Sequence, residues 1–251
     1  MAKINQLIKE WPKGTVMTLD LLKRKGINRD LIKRYRKSGW IESVGRGAYK
    51  LAGDDLEISG GIYAIQHQLK QKLHVGARSA LEMKGYGHYL GPGIRKMFLF
   101  GLPGEFLPVW FKSYNWPVNF FYTTTNLFPE NLLSSFTMYE YKNINIKIST
   151  PERAVLEMLH FIPLEQGFDE ALKIIGSLTT LRPDLVQNLL ENCKSIKVKR
   201  LFMFMAEKEN HLWLNDLNTD KIDLGSGKRV IIKDGHLDKK YNITVPRSFE
   251  N

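Results

Sequence analysis

Along the first 53 positions the apolar residues fall in the spacings of short helices followed by short strands. Ile4, Leu7, Ile8 and Trp11 lie at i, i+3, i+4 and i+7, one face of a helix that Pro12 and Gly14 end. Thr18 is placed to cap a second, short helix containing Leu19, Leu21 and Leu22, and Gly26 punctuates it. Asn28 then caps a third helix from Arg29 to about Lys37, closed by Gly39. In that helix Leu31, Ile32 and Tyr35 form one face, and Arg29, Lys33, Arg36 and Lys37 cluster on the other. Two β-compatible runs flank Gly45-Arg46-Gly47 and read as a hairpin with a basic tip. Helices joined through a glycine turn and followed by a hairpin predict a winged helix-turn-helix.

Beyond residue 53 the pattern becomes mixed. A helical spacing runs through Ile62, Ile65, Leu69 and Leu73, and a short helix follows Val75-Gly76-Ala77-Arg78. Strands are expected at Lys96–Phe100 and Val118–Tyr122, and a hairpin at Phe136–Tyr141 and Ile144–Ser149, turning at Lys142-Asn143. Ser149-Thr150-Pro151-Glu152 is a helix start, with the cap at Ser149 or Thr150, proline in the first turn and spacing that would allow a Ser149–Glu152 capping box. Helices are expected at Phe168–Leu178, Pro183–Cys193 and Lys197–Glu209, then a strand at Lys228–Ile232, a turn at Asp234-Gly235 and a strand at Tyr241–Val245. The fold class expected is α+β: a winged helix-turn-helix domain over residues 1–53 and a mixed α+β domain over 54–251. The boundary falls at Ala52-Gly53-Asp54-Asp55, where the charge changes sign.

Charge changes this picture most. Of the net +11, the first 51 residues hold +9, from 13 Lys/Arg against 4 Asp/Glu. Such an imbalance on a short helical segment is the footprint of a nucleic-acid-binding module. Like charges at i, i+4 (Arg29 with Lys33, Lys33 with Lys37) each cost an isolated helix roughly 0.2–0.5 kcal/mol, a repulsion that an anionic partner reverses. A solvated basic surface, or a protein contact made by the same module, is the blander reading. Arg29, Lys33 and Arg36 are the candidates for base edges, because Arg can bind guanine O6 and N7 with two hydrogen bonds. Lys23, Arg24, Lys25, Arg46 and Lys50 suit phosphates, and Arg34 and Lys37 complete the expected DNA-binding set. Each phosphate engaged should contribute roughly −0.9 to the slope of log K against log salt.

Other chemistry is not apparent. One cysteine, Cys193, rules out an internal disulfide and fits a reducing cytosol. Six scattered histidines, His74 and His88 among them, have no metal-ligand spacing, so no metal and no cofactor are expected. The start has no apolar run after its lysines, and Met97–Phe111 is broken by glycine and proline; a cytoplasmic chain without a membrane partner is expected. Leu224-Gly225-Ser226-Gly227-Lys228-Arg229 is too short for a phosphate-binding loop and lacks its trailing Ser/Thr, so it reads as a structural turn. The aromatics from Phe98 to Phe128 read as core rather than a base-stacking platform, and Arg153 reads as the partner of a nearby carboxylate. No catalytic constellation stands out, and the chain is expected not to be an enzyme.

The order of features resembles the AbiEi-type antitoxins of bacterial abortive-infection (type IV) toxin–antitoxin systems. The resemblance covers nearly the whole chain. Besides the head, it rests on Val75-Gly76-Ala77-Arg78-Ser79-Ala80-Leu81-Glu82 followed by Gly85-Tyr86-Gly87-His88, and on Ile148-Ser149-Thr150-Pro151-Glu152-Arg153-Ala154. Leu224–Arg229 and Tyr241-Asn242-Ile243-Thr244-Val245-Pro246 complete it. It implies a repressor that binds repeated sites in double-stranded DNA at its own promoter through the N-terminal domain. It further implies that the C-terminal domain counters a nucleotidyltransferase-like toxin, often without a stable complex. With one head per chain, paired half-sites need two chains, so a monomer or a DNA-assembled dimer is expected. Two alternatives remain at the level of sequence. A one-component regulator would have a deep, mostly apolar ligand pocket in the C-terminal domain. A nucleic-acid-processing enzyme would gather carboxylates such as Asp54/Asp55 or Asp216/Asp220 around Mg²⁺.

Overall fold

The structure, a computed structural model, describes residues 3–86 and 96–249; Gly87 and His88 lie outside the described residues. The fold is α+β, as the sequence predicts. The head contains α1 (Lys3–Glu10), β1 (Met17–Thr18), α2 (Leu19–Arg24), α3 (Arg29–Lys37), β2 (Ile41–Gly45) and β3 (Ala48–Leu51). Its strands form an antiparallel sheet in the order β1–β3–β2, with Ile41 opposite Leu51 and Met17 opposite Tyr49. Leu7, Trp11, Met17, Leu22, Ile27, Ile32, Ile41 and Leu51 make its core. One residue from every element meets there, with Trp11 and Ile27 from the connecting loops, so burying about 2 kcal/mol of apolar side chain at each fixes all six elements together.

After the head come α4 (Ile58–His67), β4 (His74–Val75), α5 (Ala77–Met83), β5 (Lys96–Gly101), α6 (Val109–Ser113) and β6 (Asn119–Thr124). They are followed by β7 (Phe136–Tyr141), β8 (Ile144–Ser149), α7 (Pro151–His160), α8 (Phe168–Ser177), α9 (Pro183–Asn192), α10 (Ile196–Lys208), β9 (His236–Asp238) and β10 (Ile243–Val245). A five-stranded sheet has the order β6–β5–β4–β8–β7. β5 and β6 run parallel, from Lys96 opposite Asn119 to Gly101 opposite Thr124. Met97, Phe98, Leu99 and Phe100 are all buried, the continuous apolar run of a strand covered on both faces. β7 and β8 turn at Lys142-Asn143, where Lys142 takes φ 52°.

The chain divides into two compact units. The first contains the described residues of Met1–His74, Arg95–Thr124 and Met138–Lys147; the second, those of Val75–Ile94, Thr125–Thr137 and Ile148–Asn251. At the centre of the second unit is α7, buried from Glu152 to Leu159, with α5, α8, α9 and α10 packed on it. A helix so enclosed must pair its charged side chains internally, and Glu152, Arg153 and Glu157 do so.

Two elements depart from expectation. The helix expected through Leu73 stops at His67, because Gln68 turns its side chain into the head and Lys70 takes φ 57°. The strand expected at Lys228–Ile232 is reduced to a single bridge between Arg229 and Ile243. The Thr244 hydroxyl accepts from the amides of both Ile231 and Ile232 at 2.9 and 3.1 Å, and the Ile232 amide also donates to the Thr244 carbonyl at 3.3 Å. Among the described residues no helix is long and apolar enough to cross a membrane.

Candidate nucleic-acid interface

Local chemistry fixes α3 at both ends and along one side. Asn28 Oδ1 accepts from the Leu31 amide at 2.9 Å, and Thr18 Oγ1 caps α2 through the Leu21 amide at 3.4 Å. Gly26, at φ 73°, makes the turn between the two helices, a left-handed conformation that suits glycine. Ile32 is 3% exposed in the head core, with Leu31 and Tyr35 half-buried against it. The opposite side carries Arg29, Lys33, Arg34, Arg36 and Lys37, all exposed. None of these five makes an ion pair or side-chain hydrogen bond among the described residues.

The other expected contacts divide. Lys23 and Arg46 are exposed and likewise without a partner among the described residues. Arg24 Nη2 donates to the Gln68 carbonyl at 3.1 Å, and Lys25 Nζ lies 2.5 Å from Glu10 Oε2 in a surface pair. Lys50 Nζ donates to the Asp54 carbonyl at 2.7 Å and lies 3.2 Å from Glu42. Lys50 is therefore already committed to Asp54 and Glu42.

The β2–β3 hairpin presents Arg46 at its tip, beside Gly47 at φ 76°. The Gly47 carbonyl accepts from the Leu19 amide at 2.7 Å, so the tip is tied to the start of α2. Behind it, Gly45 lies against α6: a Cβ there would come within 2.8 Å of Trp110 Cβ and 3.0 Å of its Cα. This buttress has no sequence signal, because α6 spans only five residues.

Gln68 is a second feature the periodicity hides. Its side chain, in a residue 8% exposed, accepts from the Thr18 amide at 2.8 Å and donates to the Val16 carbonyl at 2.6 Å, completing both ends of the amide. Asp54 Oδ2 accepts from the Gly14 amide at 2.8 Å. Gly60 meets the same loop so closely that a Cβ would fall 1.9 Å from the Gly14 carbonyl oxygen. The head is thus hydrogen-bonded and packed onto α4.

The motif residues of the second unit are tied into internal polar contacts. Arg153 Nε donates to Glu157 Oε1 at 2.7 Å and Nη1 to Ser135 Oγ at 3.1 Å, with the guanidinium between the rings of Phe136 and Phe128 at 4.3 and 4.7 Å. Glu157 Oε2 also accepts from the Ser149 hydroxyl at 2.8 Å and the Ala77 amide at 3.1 Å. Glu152 receives Arg182 through its backbone amide, Nε and Nη2. The Ser149–Glu152 capping box does not form, since both members are engaged elsewhere; Thr150 is the N-cap of α7. Arg78 bridges Glu82 and Glu170 at 3.1 and 3.0 Å.

The glycine loop turns carbonyls, not amides, toward its occupant. Arg200 donates to the carbonyls of Leu224, Gly225, Gly227 and Asn242 at 2.6–3.1 Å. A ring of carbonyl oxygens binds a cation and repels phosphate, which agrees with the structural-turn reading. In the second unit an open cavity of about 870 Å³ is lined by Asp169, Glu170, Lys173 and Glu209 alongside Leu172 and Ile174. Its charged rim differs from the deep apolar pocket that a small-ligand regulator would need. Among the described residues no group of three or more His, Cys, Asp or Glu is placed to hold a metal ion, and Asp54 is engaged by Gly14.

Residues 94–246 match the family model described as "Transcriptional regulator, AbiEi antitoxin, Type IV TA system". Residues 1–91 match "Transcriptional regulator, AbiEi antitoxin N-terminal domain". No curated protein matches the sequence. The crystal structure of the RV2827C protein from Mycobacterium tuberculosis is similar in fold, with a TM-score of 0.60 and 14% identity over 96% of this chain and 88% of that one. Both family models describe transcriptional regulators rather than enzymes, and between them they span nearly every residue from the head to β10. The chain therefore belongs to the AbiEi antitoxin family of transcriptional regulators of type IV toxin–antitoxin systems.

Proposed function

We propose that this antitoxin acts in the cytoplasm as an autorepressor, binding repeated sites in its own promoter through a winged helix-turn-helix formed by residues 1–53. In this reading α3 enters the major groove and the β2–β3 wing reaches the neighbouring backbone. The observation that carries the reading is the unpaired cationic side of α3: five exposed basic residues on a helix whose apolar side is fixed in a core. A fold that leaves such a repulsive surface uncompensated gains most from a polyanionic partner. Arg29, Lys33 and Arg36 are assigned to base edges. Lys23, Arg24, Lys25 and Arg46 are assigned to phosphates, with Lys50 the weakest member because it is already paired, and Arg34 and Lys37 complete the DNA-facing set.

The remainder of the chain, from residue 54, would counter a nucleotidyltransferase-like toxin without needing a stable complex; family membership supports this part. Gel shifts on the DNA upstream of the chain's own reading frame test the first half. Binding that survives Arg29→Glu with Lys33→Glu removes α3 as the recognition helix. Co-expression with the neighbouring toxin gene tests the second half: the full chain must relieve the growth arrest, and failure to do so removes the proposed antagonism.

A further inference from the structure

One acid interrupts the cationic side of α3. Asp30 is exposed and sits in the first turn, flanked in sequence by Arg29 and with Lys33 and Arg34 at i+3 and i+4. At 100° per residue it projects between Lys37 and Arg34, inside the basic arc rather than beside it. The i+3 and i+4 neighbours are those with which a helical carboxylate forms ion pairs, yet among the described residues Asp30 pairs with neither. It caps nothing either, since Asn28 supplies the cap of α3.

We propose that Asp30 is a base-reading residue that selects a cytosine in the operator. The inference rests on the DNA-binding reading above. An ionised carboxylate only accepts hydrogen bonds, so in a groove it repels phosphates and can gain only from a donor on a base edge. In the major groove cytosine offers the N4 amino group, the partner that Asp and Glu use. Adenine sets its N7 acceptor beside its N6 donor, which disfavours a second carboxylate oxygen and suits Asn or Gln instead. Position agrees with chemistry: the N-terminal residues of a recognition helix approach the base edges most closely, and a side chain as short as Asp can reach them only from there. The competing explanation is the helix dipole, which favours acids in first turns, and Asp20 and Asp169 occupy first turns of α2 and α8. That explanation carries no base preference, so sequence discrimination separates the two.

The test is competition binding, by fluorescence anisotropy, on duplexes of the upstream DNA with each position changed in turn. Wild type, Asp30→Ala and Asp30→Asn are compared, and circular dichroism melts check that these exposed substitutions leave the chain folded. Wild type is expected to prefer cytosine at one position per half-site by about 5- to 100-fold, the range usual for one base-pair mismatch. Asp30→Ala should level that position and leave the others unchanged, and Asp30→Asn should move the preference there to adenine. If Asp30→Ala tightens binding to every duplex alike and keeps every positional preference, Asp30 does not read a base. If wild type binds duplex but Asp30→Asn leaves the cytosine preference intact, the assignment also fails. Wild type that binds no duplex overturns the DNA-binding reading, and this assignment with it.

Discussion

In the second unit Arg153 and Arg200 direct their guanidinium into the protein and the exposed Arg182 pairs with the buried Glu152, whereas in the head Arg29, Arg34, Arg36 and Arg46 meet no partner among the described residues. The two groups differ in what explains their charge. Arg153 is accounted for by Glu157, Ser135 and two aromatic rings, and Arg200 by four carbonyl oxygens. Nothing among the described residues accounts for the cations of α3. Internally matched cations make rigid structure and a nearly neutral remainder. Unmatched ones keep their field outside the protein, where only a ligand can use it.

The largest expected effect would come from breaking the matched set. Glu157→Ala leaves Arg153 buried without its carboxylate and strips the acceptor from Ser149 and the Ala77 amide. Removing one partner of a buried pair costs about 3–5 kcal/mol, which urea unfolding followed by circular dichroism would register. A loss below about 1 kcal/mol would mean that these contacts contribute little to the second unit.

The unmatched set should respond in the opposite way. Arg29→Glu with Lys33→Glu is expected to leave unfolding within about 0.5 kcal/mol of wild type, because both side chains are exposed and unpaired. Promoter affinity should fall by roughly 2–4 kcal/mol, and the salt slope should flatten by about one for each phosphate no longer engaged. Comparable losses in stability and affinity would erase the distinction between the two groups.

How far the residues announce this arrangement depends on the range of the interaction. The caps at Thr18 and Asn28, the two faces of α3 and the bounds of β7 and β8 follow from neighbours within one turn or one hairpin, and all are legible in the sequence. β1 and α6 are too short to show a period, and each owes its existence to a partner distant in sequence: β3 for one, Gly45 against Trp110 for the other. The capping box fails for the same reason. Ser149 and Glu152 have the right local spacing, but Glu157 and Arg182 offer them better-satisfied contacts once the chain has folded. The cations of α3 are readable as charges. That they stay unpaired is a property of the tertiary structure alone.

Gln68 offers a sharper, smaller test, because it contacts the head from outside residues 1–53. Gln68→Leu keeps the volume and leaves the Thr18 amide and Val16 carbonyl without their partner. An unsatisfied buried group costs about 1–3 kcal/mol, so stability should drop within that range and the Thr18 amide should lose hydrogen-exchange protection. If protection in α1, α2 and α3 stays at its wild-type level, the head keeps its own fold without α4. If protection falls throughout the head, the stability of the cationic surface depends on a residue that the charge pattern does not mark.

The smallest effect separates matched from unmatched charge by pH. Burial pushes the Glu152 carboxyl up, but the Arg182 side chain and the backbone amides of Glu152 and Arg182 outweigh it and hold the group below the ordinary 4.5. A carboxyl depressed in the folded state adds stability above its unfolded value, and that stability is lost as pH falls through the folded value. Arg182→Gln should therefore lower stability at neutral pH and flatten the acid limb of the stability curve below about pH 4.5. With the Arg182 side chain 60% exposed, solvent screening limits the difference to about 1 kcal/mol or less. The head variant Arg29→Glu with Lys33→Glu introduces carboxylates with no buried partner, so its acid limb should follow wild type. An acid limb unchanged by Arg182→Gln would show that the contacts of Glu152 other than the Arg182 side chain hold it ionised, leaving Arg182 an exposed cation of the same kind as those on α3.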